Sequence, residues 1–406
     1  MSSRLLRIIY ILFFFSFLTT QAATPAEQVV PGDTVSDNND LSAIRISLLT
    51  CGTGTAEVYQ AFGHTAIRVH NTETGEDDVY NYGMFDFNTD GFLMKFIRGK
   101  LLYFVAAEDM EGFMFDYHYH KRWVREQDLD LDNDQKAALV AALRKNILYE
   151  NRYYLYDFIY NNCSTQPRDL IRNTLGPEFK FTRLATENTE TIREMVDRHV
   201  RYNEWLDFGI DLLLGVRFDK VADADTRMFL PAELMTEFDS TQFMGKPIVS
   251  DSRILYSGGP QPIPNIPGPT LIFWSLLFIM LFIQIIRKRP SERRWVSVLM
   301  LLIAGIVGMI LTFMWFGTDH YMTKWNLNLL WAFPLHAVMA FFLLRKEIPP
   351  FVMRYFECFR ILMILLILGW CINPQQFHAA VLPIMLILIL SIGRVMPIPK
   401  ESLLNK

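Results

Sequence analysis

The sequence predicts an α+β exported domain followed by an all-α membrane domain of about five helices. The first observation is an apolar N-terminal segment with the features of an export signal. The second is that residues 43–256 combine strand-like alternation with helix-like periodicity. The third is a series of apolar runs after residue 270, which raises the hydrophobic content of the 406 residues to 51%. A formal net charge of −4 gives no indication of nucleic-acid binding.

The first 42 residues indicate an export signal and a leader. Arg4 and Arg7 precede an apolar segment, residues 8–18, and small alanines follow it, which is the pattern of a secretory signal peptide over residues 1–23. An uncleaved anchor helix is the alternative, and it would export the following chain equally. Residues 24–42 are polar and acidic, so we expect a disordered leader.

Alternating apolar residues predict the first strands of the exported domain. The alternation in residues 44–49 predicts one strand, and residues 65–70 and 79–85 predict two more. The acidic, glycine-containing stretch 73–78 has turn composition, so the last two strands should form a hairpin. His64 then lies near the open end of that hairpin.

Two segments with helical periodicity follow. In residues 134–148 and again in residues 164–175, apolar side chains recur on one helix face. Pro167 is tolerated in the first turn of the second helix, and Gly176-Pro177 should end it. Cys163 therefore lies just before the start of a helix.

A proline-rich linker, residues 257–269, leads into the membrane domain, residues 270–406. The fourth and fifth apolar runs of that domain are short or interrupted, so the count of about five spans has a margin of one. The candidate spans are 270–286, 295–316, 325–344, 358–373 and 377–393.

Basic residues predict the orientation of these spans. They cluster at 287–294, at 345–354 and after the fifth span, whereas the loops at 319–324 and 373–378 carry almost none. The positive-inside rule puts the basic loops in the cytoplasm. The first span then runs from outside to inside, which leaves the preceding domain outside the cytoplasm, in agreement with the export signal.

A histidine and a cysteine form the candidate catalytic pair. A cysteine is nucleophilic as its thiolate, and its pKa falls beside a histidine or at a helix N-terminus. Cys163 has the second feature, and His64 on a strand edge is a candidate for the first. A strand histidine with a helix-start cysteine is the papain-like arrangement in reverse chain order, and chain order does not affect the geometry. We expect the two side chains to lie within reach of each other.

The group that orients the imidazole should come from the neighbouring strand. Asn81 and Tyr82 are both candidates, because they point to opposite faces and the sequence does not fix the register. Cys51 is expected to begin a glycine-rich turn, which favours Cys163 as the nucleophile. The alternatives are a packed or surface role for His64, and a Cys163 that is simply buried or forms a disulfide with Cys51.

The other histidines of the exported domain do not indicate a metal. His118 and His120 have strand-like i,i+2 spacing, but no second compact cluster of ligand residues accompanies them. His70 shares a strand face with His64 but lies near the turn, where we expect a surface position. We therefore expect no metal and no cofactor.

Two features suggest contact with lipid. Residues 92–104 combine large apolar side chains with three cations. This suits an interfacial segment or the wall of an acyl groove, or alternatively a core element with snorkelling cations. His320, Asn326 and Asn328 lie at the outer end of the third span, where polar side chains either shape a lipid site or hydrogen-bond between helices.

Several motifs carry a resemblance to known proteins. They are Thr50-Cys51-Gly52-Thr53-Gly54, Phe62-Gly63-His64-Thr65-Ala66-Ile67-Arg68-Val69, Tyr80-Asn81-Tyr82-Gly83, Tyr156-Asp157-Phe158-Ile159-Tyr160-Asn161-Asn162-Cys163-Ser164-Thr165 and Phe229-Leu230-Pro231, together with Asn326-Leu327-Asn328-Leu329-Leu330-Trp331 and Pro334 in the membrane domain. Through them nearly the whole chain after the signal resembles a family long listed as a domain of unknown function and now regarded as the Bacteroides-type lipoprotein N-acyltransferase. The histidine and cysteine blocks are also similar to the circularly permuted NlpC/P60 and lecithin:retinol acyltransferase folds. Gln166-Pro167 departs from the Arg-rich form expected there.

The resemblance implies a permuted papain-like exported domain and an acyl-transfer reaction. Cys163 would take an acyl chain from a phospholipid as a thioester, with His64 as the base, and the α-amino group of a diacylglyceryl-cysteine lipoprotein would then attack. The implied partners are a phospholipid acyl donor, a diacylated lipoprotein acceptor and the membrane, with no nucleic acid. The implied location is the bacterial inner membrane, crossed several times, with the catalytic domain in the periplasm.

Two other functions stay open at this point. One is a membrane-tethered cysteine amidase or peptidase acting on cell-wall peptides, and the other is a non-catalytic membrane scaffold. The sequence offers no recognisable cell-wall-binding module, and about five spans are more than such a hydrolase needs.

The basic loops predict a labelling pattern. In a variant whose four native cysteines are replaced, Glu292→Cys and Glu347→Cys should resist an impermeant thiol reagent applied to the outer side of the intact inner membrane, because both positions lie in loops predicted to be cytoplasmic. Gln376→Cys, in a loop with almost no basic residues, should react and serves as the control. Ready labelling of either basic loop would overturn the topology.

Overall fold

The computed structural model describes residues 41–181, 189–286 and 294–395, which all belong to one compact unit beginning at Asp40. The predicted signal peptide lies outside the described residues. So do leader residues 24–40, the basic residues 287–293 and the residues from 396 onward.

An antiparallel sheet forms the centre of the exported domain. The strands in the described residues are β1 (Ile44–Cys51), β2 (His64–Asn71), β3 (Asp77–Met84), β4 (Leu102–Asp109), β5 (Val124–Leu129), β6 (Tyr153–Leu155), β7 (Gln242–Phe243), β8 (Lys246–Pro247) and β9 (Val249–Tyr256). Seven of them pair in the order β6-β4-β3-β2-β1-β5-β9. The predicted hairpin is confirmed, because β2 and β3 pair antiparallel with Ala66 opposite Asn81.

Helices connect and cover these strands. They are α1 (Phe92–Ile97), α2 (Met110–Tyr119), α3 (Asn133–Ile147), α4 (Thr165–Leu175), α5 (Ile192–Val200), α6 (Glu204–Leu213), α7 (Ala224–Arg227) and α8 (Pro231–Ser240). The two helices predicted from periodicity are confirmed as α3 and α4. Asp132 and Gln135 form a capping box at the start of α3, in which side chain and backbone satisfy each other's hydrogen bonds.

Both faces of the sheet are buried under helices. On one face Ile46, Leu48 and Ile67 belong to a core shared with α3, α4 and α8. On the other face Leu49 and Ala66 belong to a core shared with α2. Because successive strand residues point to opposite faces, β1 and β2 contribute to both cores. The ends of these inner strands are consequently fixed by packing on two sides.

The described residues of the membrane half contain α9 (Pro269–Ile286), α10 (Arg294–Phe316), α11 (Leu335–Phe342), α12 (Pro350–Leu368) and α13 (Val381–Val395). By length and composition, two of the described segments can cross a bilayer, Pro269–Ile286 and Trp295–Phe316. They correspond to the first two candidate spans. The fourth candidate, 358–373, differs from α12 at both ends, since α12 begins and ends earlier.

The third candidate span, 325–344, is not one continuous helix. It consists of a 3-10 turn at Leu327–Leu330 and the eight-residue α11. Asn326 caps the turn, because its side-chain oxygen accepts a hydrogen bond from the backbone N–H of Asn328 at 2.9 Å. Pro334, which has no backbone N–H to donate, directly precedes α11. Capping and proline therefore break a segment whose apolar composition predicted a span.

Buried amide side chains join the membrane half to the exported domain. Asn326 donates from Nδ2 to the carbonyl of Leu212 at 2.8 Å, and Gln375 donates from Nε2 to the carbonyl of Leu214 at 3.0 Å. Asn328 donates to the same Leu212 carbonyl at 3.3 Å. These carbonyls lie at the C-terminal end of α6, where helix carbonyls lack partners within the helix. Asn326 and Asn328 therefore hydrogen-bond to the exported domain as well as within the membrane half, where their side-chain oxygens accept from Gln375 and Trp331.

This junction should contribute measurably to stability. Asn326→Leu removes the amide that binds the Leu212 carbonyl and leaves buried polar groups unpaired, at about 1–3 kcal/mol per group. We expect a lower thermal midpoint of the detergent-solubilised protein. Asn88→Leu, at an exposed position, is the matched control and should leave the midpoint unchanged. Equal midpoints for both variants would contradict the role of the junction.

Candidate active site

The candidate site lies where β1 and β2 meet. His64 is the first residue of β2 and pairs with Cys51, the last residue of β1. The prediction that Cys51 begins the glycine-rich turn is wrong, because the turn starts one residue later, at Gly52. Gly63 precedes His64 with a φ of 82°, and a Cβ there would lie 2.6 Å from the Cys51 carbonyl oxygen. Only glycine can therefore bring the chain into β2 at this point.

A hydrogen-bonded chain of three side chains orients the imidazole. His64 Nε2 lies 2.9 Å from Asn81 Oδ1, and Asn81 Nδ2 donates to the carboxylate of Glu108 on β4. Because the amide nitrogen is used by Glu108, the amide oxygen is the atom that faces His64. That oxygen can only accept, so Nε2 carries the proton and Nδ1 is left with the lone pair of a base.

Tyr82 lies on the opposite face of β3. Its ring is 1% exposed and packs in the core with Tyr80, and its hydroxyl accepts a hydrogen bond from Asn146 Nδ2 at 2.9 Å. Of the two candidates for orienting the imidazole, Asn81 is therefore the one that contacts His64.

Cys163 lies two residues before the first residue of α4. Asn162 Oδ1 accepts from the backbone N–H groups of Ser164 at 2.8 Å and Thr165 at 2.9 Å. The prediction that free N–H groups of the helix would act on the thiol is therefore wrong, since the asparagine satisfies them. The backbone of Thr65 lies close enough to the thiol to lower its pKa, and the backbone of Cys163 itself acts in the same direction.

Thr65 connects the cysteine to the histidine. Its backbone lies beside the thiol of Cys163, its hydroxyl lies 3.1 Å from the Ser164 hydroxyl, and its chain neighbour is His64. Gly83 on β3 lies against Cys163, because a Cβ at this residue would lie 3.4 Å from the Cβ of the cysteine. The φ of Gly83 is 90°, which favours glycine. The structure thus brings Cys163, His64 and Asn81 to one corner of the sheet.

Burial determines the charge state of this corner. It raises the pKa of the Cys163 thiol to about 11, although the backbone hydrogen bonds and the charge of Arg122 act in the opposite direction. Burial also lowers the pKa of His64 to about 4; the hydrogen bond with Asn81 raises it and Arg122 lowers it further. At neutral pH the resting site therefore holds a protonated thiol and a neutral imidazole. Such a pair needs a proton transfer before the sulfur can act as a nucleophile.

Cys51 occupies a less reactive environment. It is 1% exposed, and burial raises its pKa to about 12 despite a hydrogen bond with the Tyr117 hydroxyl. Cys51 and Cys163 are both free thiols in the structure, so the alternative of a disulfide between them is not observed.

Sequence reasoning missed two charged residues of this corner. Glu108 lies in an ordinary strand pattern, and Arg122 precedes β5 without any motif. Arg122 is 4% exposed, donates from Nε to the Gly52 carbonyl at 2.8 Å, and lies over the Tyr117 ring at 4.8 Å. Within the described residues no carboxylate forms an ion pair with it. Its buried positive charge is therefore available to stabilise negative charge at the site.

The other histidines considered from the sequence lie elsewhere. His118 is on α2 and His120 directly follows it, so their predicted strand spacing is wrong. The His118 ring packs against that of Tyr256 at 4.4 Å. His70 pairs with Arg45 near the far end of β2 and is partly exposed, in agreement with the expected surface position.

One group of carboxylates could hold a cation. Oxygen atoms of Asp197, Asp207 and Asp211 lie within 4.8 Å of one another in the described part of the chain. These residues are on α5 and α6 rather than on the sheet, and Asp211 is already paired with the buried Arg193 at 2.5 Å. The group is thus separate from the cysteine and histidine in the fold.

The first part of the predicted lipid-facing segment, residues 92–97, has no buried residue, whereas Leu101 is 3% exposed. No residue of α1 is buried, so the alternative of a core element is wrong for residues 92–97. The Ile97 carbonyl lies 3.1 Å from His320 Nε2, and the Arg98 carbonyl accepts from the backbone N–H of Asp319 at 2.9 Å. Helix α1 therefore contacts the loop that follows α10 of the membrane half.

Comparisons with known proteins agree with this division of the chain. Residues 33–198 match the family model of the Lnb N-terminal periplasmic domain, and residues 263–401 match that of the Lnb transmembrane domain. A search of curated proteins and a search of solved structures gave no match. The expectation of a periplasmic domain followed by a transmembrane domain is confirmed.

The pKa of Cys163 predicts how its alkylation depends on pH. With a pKa of about 11, the rate of reaction with iodoacetamide should keep rising beyond pH 9, where an ordinary thiol of pKa about 8.5 has levelled off. Peptide-resolved mass spectrometry of the folded protein measures this rate, and Cys51 should react more slowly still. A rate that is constant between pH 5 and 8 would instead indicate a preformed thiolate–imidazolium pair.

Proposed function

The chain belongs to the Bacteroides-type Lnb lipoprotein N-acyltransferase family, and we propose that it moves an acyl chain from a phospholipid, through a thioester on Cys163, to the α-amino group of a diacylglyceryl-cysteine lipoprotein. Membership of the family supports a lipoprotein-modifying membrane protein with a periplasmic domain. The single observation that carries the finer reaction is the packing of Cys163 against Thr65, next to an imidazole that Asn81 holds.

In the first half-reaction the phospholipid ester is cleaved. The sulfur of Cys163 attacks the ester carbonyl while His64 Nδ1 takes the thiol proton. A carbon–sulfur bond forms, the carbon–oxygen bond breaks, and the lysophospholipid leaves with the proton from the imidazolium. The buried charge of Arg122 lowers the pKa of the Cys163 thiol and so favours the developing thiolate.

In the second half-reaction the lipoprotein amine attacks the thioester. An α-amino pKa of about 7.7–8.0 leaves part of the amine neutral at physiological pH. The carbon–nitrogen bond forms, the carbon–sulfur bond breaks, and His64 transfers the amine proton to the departing sulfur. Because burial holds the pKa of His64 at about 4, the imidazole is neutral over the whole physiological range and its Nδ1 lone pair is free.

The proposal extends to the fold and the location. A cysteine before α4, a histidine on β2 and an asparagine on β3 support a permuted papain-like arrangement. We propose that the membrane half crosses the inner membrane about five times with its basic loops in the cytoplasm. Withdrawing an acyl chain from a bilayer costs about 0.8 kcal/mol per CH₂. The amide junction between α6 and the membrane half supports a site held at the bilayer surface.

Substitutions at this site should distinguish the proposed nucleophile and the proposed base from residues that take no part in the reaction. Cys163→Ala should abolish N-acylation because no other thiol is positioned for it, and His64→Ala should lower it at least about a hundredfold because the base is lost. The measurement is the ratio of triacylated to diacylated lipoprotein N-termini, by mass spectrometry, in a strain that depends on the variant.

Two matched controls accompany these variants. Cys51→Ala removes a thiol that is more deeply buried, and Tyr82→Phe removes a hydroxyl bonded only to Asn146 on the far face of β3. Both should keep substantial activity. Full activity of Cys163→Ala, or an equally complete loss in Cys51→Ala, would refute the nucleophile assignment.

A further inference from the structure

A row of aromatic rings leads away from Cys163. Tyr156 and Tyr103 stack with ring centroids 4.4 Å apart, Tyr103 and Phe85 are 5.2 Å apart, and Phe85 and Phe92 are 5.9 Å apart. Phe92 stacks on Phe96 at 6.1 Å. We call these five residues the aromatic row. They come from four segments of the chain, so their alignment is a product of the fold.

The inner end of the aromatic row lies at the thiol. A Cβ placed on Gly83 would lie 3.4 Å from the Cβ of Cys163 and 3.8 Å from Cε2 of Tyr156. Cys163 and Tyr156 are therefore neighbours across Gly83. The apolar surface of the row begins where an acyl carbonyl bound to the sulfur would continue into its hydrocarbon chain.

The outer end of the aromatic row lies on α1, which faces solvent. Leu93, Met94 and Phe96 are 50%, 57% and 42% exposed. Apolar surface of this kind on a short helix is typical of a segment that lies in a membrane interface. Because α1 contacts the loop after α10, this end of the row lies beside the membrane half.

Cations flank the exposed apolar residues. Lys95 and Arg98 are exposed and form no ion pair among the described residues, while Lys100 Nζ lies 3.8 Å from Asp319. Apolar side chains next to unpaired cations complement a lipid with an anionic phosphate and hydrocarbon chains. The four ring-to-ring steps of 4.4–6.1 Å also give the row a length that matches a chain filling one leaflet, about 15 Å.

We propose that α1 lies in the bilayer interface and that the aromatic row binds the acyl chain of the donor phospholipid. This inference rests on the proposed function. The occupant is the donor rather than the lipoprotein, because the chain next to the thiol must be the one whose carbonyl reacts with it. The acyl chains of the acceptor are attached on the other side of the attacking amine.

The test uses the first half-reaction alone. Full-length protein in detergent micelles receives dipalmitoyl- or dihexanoylphosphatidylcholine without acceptor, and intact-protein mass spectrometry follows thioester formation on Cys163. The double variant Phe92→Ala/Phe96→Ala should lower the ratio of the dipalmitoyl to the dihexanoyl rate at least tenfold, since only the long chain reaches α1.

A matched control exists on α2. Phe115 and Tyr119 are also exposed aromatic residues four positions apart, with stacked rings 6.5 Å apart, but they lie outside the aromatic row. Phe115→Ala/Tyr119→Ala should leave the ratio unchanged. The second variant, Leu93→Gln/Met94→Gln, changes only exposed side chains and should not disturb folding, as the phenylalanine variant could. It too should lower the ratio of the dipalmitoyl to the dihexanoyl rate.

Each other outcome has a distinct meaning. Equal slowing with both donors, or an unchanged ratio in both α1 variants, would show that the row is structural and would overturn the inference. Normal thioester formation with slowed transfer to a diacylated lipopeptide would assign the row to the acceptor instead. If the unaltered protein forms no thioester with any phospholipid, the proposed function itself fails.

Discussion

The candidate site depends on one contact, that between the first residues of β2 and the turn before α4. The hydroxyl of Thr65 lies 3.1 Å from that of Ser164, and the backbone of Thr65 lies beside the thiol of Cys163. Because β2 is an inner strand with helices on both faces, Thr65 cannot shift without disturbing two cores. The sheet therefore fixes the thiol directly, and the same strand carries His64 as its first residue. The proposed nucleophile and the proposed base are therefore both positioned by the start of one inner strand.

Burial gives this corner its chemical character. It disfavours both charged forms, which raises the pKa of Cys163 and lowers that of His64. A thiol with a pKa of about 11 is ionised in only about one molecule in ten thousand at pH 7. Since thiolates rather than thiols react with oxidants and disulfides, the resting cysteine is protected in an oxidising compartment. The buried charge of Arg122 offsets part of this effect on the thiol.

Local patterns were sufficient to predict the elements that carry the site, but not the contacts between them. The alternation around β1, β2 and β3 and the periodicity of α4 depend on neighbouring residues, so both reactive residues could be located. The choice between Asn81 and Tyr82 needed the strand register. Glu108 and Arg122 became apparent only from tertiary burial, since charged residues in a strand pattern are usually solvated. The prediction of a continuous third span was wrong because Asn326 contacts the exported domain and caps a 3-10 turn. A window average of apolar composition does not detect such contacts.

The amide junction at the end of α6 has a consequence for the order in which the protein assembles. The carbonyl of Leu212 accepts a hydrogen bond from Asn326, which lies 114 residues further along the chain. During synthesis the exported half emerges first, and the end of α6 finds its partners only after the membrane half has been made and inserted. A prematurely terminated chain would expose these carbonyls and the adjoining apolar surface, which marks it for proteolysis. The junction therefore cannot form until both halves of the chain have been made.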